Sequence, residues 1–302
     1  MKSVHEIMML SIGETMNQNE NLKKWINCCK SSEKNSDRMK ELGQVELWNK
    51  RADGFARKLN PANRRERMNE IFEMLNEAGF RAEGAKVLDI GCGPGAISIP
   101  LAKAGANVTA VDISPRILEH IKSNANNEGL SLETVECSWW NADIDELGFR
   151  NKFDLVVTSM TPAIKDFETF DRMVACSKKY CYYSHFIQRG GNRIPEEIYH
   201  NILKTSYTRQ SEGTNSPFMN NFMYLYLKGY MPLVKFNSNH KKEELNWDEA
   251  AGRAIDAIGR SFNCTDAMKN EIYNYYQSSA KDGKYSSKSG VYTGMMVWKI
   301  DS

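Results

Sequence analysis

The residues of this chain best suited to chemistry lie in one stretch. Lys86-Val87-Leu88-Asp89-Ile90 reads as an apolar strand and runs into Gly91-Cys92-Gly93-Pro94-Gly95-Ala96. A tight turn needs backbone angles that a side chain forbids, and a ligand can approach bare backbone closely. The amphipathic helix predicted over Ala96–Ala104 offers unpaired N–H groups at its start. A second strand, Asn107-Val108-Thr109-Ala110-Val111, ends in Asp112. A carboxylate at that tip can accept two hydrogen bonds from ribose hydroxyls. The combination reads as a nucleoside-cofactor site.

Gly91-x-Gly93-x-x-Ala96 also fits the loosest dinucleotide fingerprint. Asp89 argues against a nicotinamide cofactor, because a carboxylate two residues before the first glycine would repel a pyrophosphate. It suits a cofactor carrying positive charge. Roughly eighty residues precede the motif, whereas dinucleotide domains often open with it. The stretch resembles motif I of the class I S-adenosylmethionine-dependent methyltransferases, Asp-x-Gly-x-Gly-x-Gly, and Asp112 matches that family's acidic ribose ligand. The resemblance covers about residues 45–190 and the last strand.

It implies a Rossmann-like α/β fold: a mostly parallel seven-stranded sheet with an antiparallel last strand and helices on both faces. It implies S-adenosylmethionine as cofactor, S-adenosylhomocysteine as product, and cofactor contacts from Asp89, Gly91, Gly93, Gly95, Asp112 and the neighbouring Ile113. The loop after the third strand contacts adenine in that family. Here it is Ser138-Trp139-Trp140-Asn141-Ala142-Asp143. An indole face can cover a base, so Trp139 and Trp140 are candidates for that contact, or else anchor the loop. Asn141 and Asp143 are alternatives for the polar contact. The fourth strand looks like motif IV and ends at Ser159-Met160-Thr161-Pro162. Ligands sit at the carboxyl ends of such strands, which nominates Ser159 for cofactor and Thr161 for substrate, with an ordinary helix cap as the alternative for Thr161. The chain departs there from the Asn/Asp-Pro-Pro-Tyr/Phe of some amine methyltransferases, so nucleic-acid base methylation loses support.

Trp48-Asn49-x-Arg51-Ala52 looks like the helix that precedes motif I and lies over the cofactor pocket. Trp48 could face the sulfonium or the substrate, or fill a core gap. Arg51 could hold a carboxylate, or be a solvated charge. His185 is the candidate general base, at the tip of the strand Tyr180–Phe186, with a structural hydrogen-bonder as its alternative; His200 and His240 are weaker. Arg189 and Arg193 could clamp an anionic substrate, or be solvated loop charges. His120 reads as exposed within a polar run.

The elements that position these residues alternate. Further strands are predicted at Leu132–Cys137 and Lys152–Ser159, and helices at 115–127, opened by Ser114-Pro115, and Phe167–Lys178. Residues 1–80 form an N-terminal helical extension and cap. In it Met68, Ile71, Phe72 and Leu75 repeat at helical spacing. Residues 81–190 form the Rossmann-like core, and 291–302 its final strand. Residues 191–290 read as a helical insertion or lid forming the substrate pocket. Its helices are expected near Pro195–Lys204, Phe218–Lys228, Trp247–Arg260 and Asp266–Gln277, with a short strand Leu233–Phe236 and a polar loop from Ser278 to Gly290.

Composition bounds the function. The net charge is +2 with 26% charged residues, so no basic surplus announces a nucleic-acid binder. Seven scattered cysteines show no metal or disulfide spacing, and a reducing cytoplasm is expected. No apolar run reaches membrane-spanning length. The leading expectation is methyl transfer to a small-molecule acceptor in a closed pocket, with no metal. The alternatives are an RNA or protein methyltransferase and a non-catalytic S-adenosylmethionine-binding regulatory or assembly protein. The methyl acceptor and the oligomeric state are not readable from these residues.

Overall fold

The computed structural model describes residues 18–29, 44–57, 61–189, 195, 198–204, 216–259 and 263–300. Seven strands form one sheet in the order β3-β2-β1-β4-β5-β7-β6. They are β1 (Lys86–Ile90), β2 (Asn107–Asp112), β3 (Glu133–Glu136), β4 (Phe153–Ser159), β5 (Ser177–Arg189), β6 (Leu233–Asn246) and β7 (Lys284–Lys299). The pairs β1–β2, β1–β4, β2–β3 and β4–β5 are parallel. The sheet is mostly parallel with one antiparallel strand. The helices are α1 (18–29), α2 (Val45–Arg57), α3 (Pro61–Glu77), α4 (Ser98–Lys103), α5 (Pro115–Asn127), α6 (Phe167–Ala175), α7 (Pro217–Leu227), α8 (Trp247–Gly259) and α9 (Asp266–Ser279).

The chain divides into two compact units. Among the described residues, the first contains the chain through His185, Pro217–Lys235 and the end from Gly294. One face of its sheet is apolar because side chains alternate along each strand. Val87, Val108, Leu155, Val157, Tyr182, Met295 and Val297 cluster there with Met68, Ile71, Met74 and Leu75 of α3. Each such side chain contributes about 1.5–3 kcal/mol on full burial. On the other face Phe170, Tyr183, Phe218 and Trp298 form an aromatic layer, with Phe170 edge-on to Tyr183 at 5.4 Å and stacked on Trp298 at 5.7 Å. The second unit, Phe186–Ser216 and Phe236–Thr293, has its own core. Ala250, Ala251, Ala254 and Ile258 of α8 meet Ile272 and Tyr276 of α9 and Ile198 of a single π-helical turn, Ile198–Ile202. The alanines let α8 and α9 approach closely.

Caps follow the sequence. The Ser114 hydroxyl accepts from the Ile117 N–H with Pro115 in the first turn of α5, and Thr265 caps α9. Other boundaries differ from expectation. The glycine turn runs on through Ile97, so α4 starts at Ser98 rather than Ala96. The helix expected to reach Lys178 stops at Ala175, because Ser177 already pairs with Phe153. The helix expected at Pro195–Lys204 is, among the described residues, the one π turn. The polar loop expected from Ser278 to Gly290 is largely strand: Asp282 and Gly283, both with positive φ, make a turn, and β7 begins at Lys284. The strand expected to end at Phe236 runs to Asn246. These polar segments lack apolar alternation, and their backbone groups are satisfied by sheet neighbours instead. Arg193 lies outside the described residues, as do the side chains of Arg189 and His240.

Candidate functional site

Asp89 and Asp112 lie at the carboxyl ends of adjacent central strands, and Asp89 pairs with Ala110 across the ladder. Alternation therefore puts both carboxylates on one face. Asp89 is 2% exposed, and the Ser98 hydroxyl at the start of α4 donates to its Oδ2 at 2.5 Å. Burial pushes its pKa up to about 7; the Ser98 bond opposes this and the nearby Asp112 charge adds to it. Asp112 is buried too. Its Oδ2 accepts from the Gly93 N–H at 3.1 Å and its Oδ1 from the Ser114 N–H at 3.0 Å. Burial raises its pKa as well, and the backbone N–H groups of Ser114, Gly93 and Ile113 oppose the shift. Both charges beside the buried Cys92, after burial itself, hold its thiol well above the usual range, so it stays protonated.

Three positive-φ glycines shape the turn. The N–H groups of Gly91 and Cys92 both donate to the Val111 carbonyl, which fastens the turn to the tip of β2. A side chain at Gly91 would overlap Thr161, so the tip beyond β4 packs against the turn. At Gly93 an added Cβ would meet open space, and backbone is bare there toward whatever ligand occupies the site. Gly95 faces inward, against Ile99 and Ile121. Asn124 of α5 donates to the Pro94 carbonyl at 3.1 Å and supports the turn from behind.

The helix α2 is tied to the tip of β2. The Ser114 hydroxyl donates to Asn49 Oδ1 at 2.6 Å, and Arg116 makes a two-pronged contact with Asp53. His120, expected to be exposed, is half-buried and lies 2.9 Å from the same Asp53 carboxylate. Trp48 is half-buried and stacked on Phe55; Arg51 is exposed, with its guanidinium 5.5 Å from the Trp48 ring.

The two tryptophans part company. Trp139 is 3% exposed, and its indole N–H donates to the Thr169 carbonyl at 3.1 Å. Its faces are enclosed by protein, so it anchors the loop and offers no platform for a base. Trp140 is half-buried, donates to the Pro162 carbonyl at 3.0 Å, and has Lys165 Nζ 4.7 Å from its ring. Asn141 is exposed, and the Asp143 carboxylate is engaged by the Asp145 and Glu146 N–H groups.

His185 is 9% exposed and stacks on Tyr183 at 6.1 Å. Ser159 pairs with Ser184, so His185, one residue on, belongs to the opposite face of the sheet, within the aromatic layer. That placement takes it away from the face of Asp89 and removes the reason for nominating it as the base. Met160, just past β4, holds a positive φ of 55°, a strained conformation of the kind that gathers at functional sites.

One residue that the motifs did not indicate reaches the strand tips. Arg67 of α3 donates to Ser159 Oγ at 2.7 Å and to Ser184 Oγ at 3.2 Å. A signal for it existed. Arg67 precedes Ile71 by four residues and Met74 by seven, so it is a charge on the apolar stripe of its helix.

Comparison with known proteins places this geometry. Residues 87–179 match the family model described as a methyltransferase domain. The chain is 30% identical over 130 residues to ribosomal RNA large subunit methyltransferase E of Wolbachia pipientis, covering 41% of this chain and 62% of that protein. It is 47% identical over 51 residues to ubiquinone biosynthesis O-methyltransferase of Methylocella silvestris, covering 17% and 20%. The chain thus spans less than two thirds of these curated relatives. Among solved structures, phosphoethanolamine N-methyltransferase 2 of Haemonchus contortus, in complex with S-adenosylmethionine, aligns with a TM-score of 0.43 and 15% identity, covering 78% of this chain and 53% of that one. Sheet order, glycine turn and family match agree: the core of this chain, over residues 87–179, is similar to a methyltransferase domain.

Proposed function

We propose that the chain transfers a methyl group from S-adenosylmethionine to a small-molecule acceptor. The observation that carries the cofactor half is Asp112. Two backbone N–H groups fix its carboxylate, and a carboxylate has about four lone-pair sites, so capacity remains for a ribose diol. The open backbone at Gly93 and the buried Asp89 fit the rest of the cofactor. Gly91, Ile113 and Trp140 complete the contacts we assign; Gly95 shapes the turn from the core side.

When bound, the cofactor supplies a methyl group already activated by a sulfonium that leaves as a neutral thioether. The protein's task is then to orient the acceptor and exclude water. Orientation of this kind is worth up to about 7–11 kcal/mol. Asp89 and Asp112 supply negative charge suited to a cationic ligand. We assign Thr161, which packs against Gly91, to the acceptor side.

The near-neutral charge supports a small acceptor, as does the likeness to ubiquinone biosynthesis O-methyltransferase. The ribosomal RNA relative supports the second reading, an RNA methyltransferase. Calorimetric titration with S-adenosylmethionine, S-adenosylhomocysteine and NAD tests the cofactor. Binding of NAD alone would overturn the reading. Methyl-label transfer to a metabolite extract and to RNA then separates the acceptors; label in RNA alone would favour the second reading.

A further inference from the structure

Arg67 is held in an unusual way for a half-buried guanidinium. Its acceptors among the described residues are two neutral serine hydroxyls, and no carboxylate there pairs with it. Both bonds use one terminal nitrogen. A guanidinium carries five N–H donors, more than these two hydroxyls and the neighbouring Tyr182 hydroxyl can take up. The hydroxyls of Ser159 and Ser184 lie 2.8 Å apart. One hydrogen bridges that pair, and the second hydroxyl keeps a hydrogen to donate elsewhere. Beneath them Tyr182 is fully buried, with its hydroxyl beside Ser184 and Arg67. Glu70, one turn along α3, is engaged by Lys235 at 3.4 Å. The cluster is therefore rich in donors and carries a positive charge, and among the described residues no carboxylate is hydrogen-bonded to Arg67.

Its place decides what it binds. Ser159 ends β4 and Ser184 lies opposite it on β5. Neighbouring strands lie about 4.8 Å apart, so β5 is about 10 Å from β1 and farther from Asp112 on β2. The cluster is on the side of the strand tips away from the ribose-binding carboxylate. We propose that Arg67, Ser159 and Ser184 form a carboxylate-binding subsite for the methyl acceptor, which makes the preferred acceptor a small organic acid. Planar guanidinium and carboxylate match two bonds at once. The hydroxyls rotate to donate to the incoming oxygen. The inference rests on the methyltransferase reading of the site, and it reassigns Ser159 from cofactor to acceptor.

The test is binding to the protein saturated with S-adenosylhomocysteine. Hydroxybenzoates, aminobenzoates and short hydroxy acids are titrated, each beside its neutral primary amide. At least one acid should bind about tenfold or more tighter than its amide. Arg67→Met should abolish that preference, and Ser184→Ala should reduce it, while affinity for S-adenosylmethionine and S-adenosylhomocysteine stays close to wild type. Absence of any acid-over-amide preference in the wild type overturns the proposal. So does an Arg67→Met variant, folded by circular dichroism, that loses cofactor affinity about tenfold; the guanidinium would then serve the cofactor's own carboxylate. A wild type that binds neither cofactor form would sink the methyltransferase reading itself, and this inference with it.

Discussion

The carboxylate of Asp112 accepts a hydrogen bond from the Gly93 N–H at 3.1 Å, which latches the tip of β2 to the glycine turn that ends β1. Asp112→Ala removes that latch and the assigned ribose acceptor together. Hydrogen bonds to a charged group are worth about 1.5–3 kcal/mol each. The variant should lose at least about tenfold in S-adenosylmethionine affinity by calorimetry and keep its far-ultraviolet spectrum. Unchanged affinity would mean that the ribose is held elsewhere.

Asp89 makes stability depend on pH. Folding raises its pKa from the usual carboxylate value to about 7, so the folded protein binds more protons than the unfolded chain in between. Its contribution to stability is present at low pH and is lost as pH rises from about 4 to about 7, on the order of 4 kcal/mol. Asp112 shifts in the same direction. Asp89→Asn should raise the melting temperature at pH 7 and flatten its dependence on pH. Parallel pH profiles for wild type and variant would show that Asp89 ionises freely in the fold.

A cationic ligand beside Asp89 favours its charged form. Binding of S-adenosylmethionine should therefore release protons near neutrality, and affinity should rise between pH 6 and 8, about the value near 7. Calorimetry in buffers of different ionisation enthalpy counts those protons. The neutral thioether product should show a weaker trend.

Two glycines of one turn should fail differently. Alanine at Gly95 would bring a Cβ to 2.8 Å from Ile99 and 2.9 Å from Ile121 at a φ of +93°. It should cost about 2–4 kcal/mol in denaturant unfolding. Gly93→Ala meets open space at a φ of +54°. It should cost only about 1–2 kcal/mol yet weaken cofactor binding. Equal stability losses at the two positions would contradict the geometry.

Trp139 and Trp140 provide the last comparison. Trp139→Phe leaves the Thr169 carbonyl without its indole donor and should destabilise by about 1–3 kcal/mol. Trp140→Ala should change stability less and S-adenosylmethionine affinity more. The reverse pattern, read from melting curves and titrations, would move the adenine contact away from Trp140.

Much of the fold was legible because local chemistry and global architecture agree. The glycine turn, the capping Ser114-Pro115 pair and the apolar strands Lys86–Ile90 and Phe153–Ser159 each favour one local structure. Alternating strands and helices then leave few ways to build a sheet. Asp89 and Asp112 could be placed together before any fold was known, because both follow from the spacing of two strand ends about one helix. By itself, then, the sequence determined the glycine turn, the two carboxylates beside it and the class of fold around them. The tertiary structure decided what depends on contacts distant in sequence. Trp139 and Trp140 are adjacent and chemically identical, and only the packing of α6 encloses one of them. His185 and Ser184 are neighbours, and only the strand pairing puts them on opposite faces. Arg67 looks like one helix charge among several until α3 lays it across Ser159 and Ser184, 92 and 117 residues away. The polar ends of β6 and β7 carry no periodic signal, because their order comes from backbone hydrogen bonds that no side chain announces.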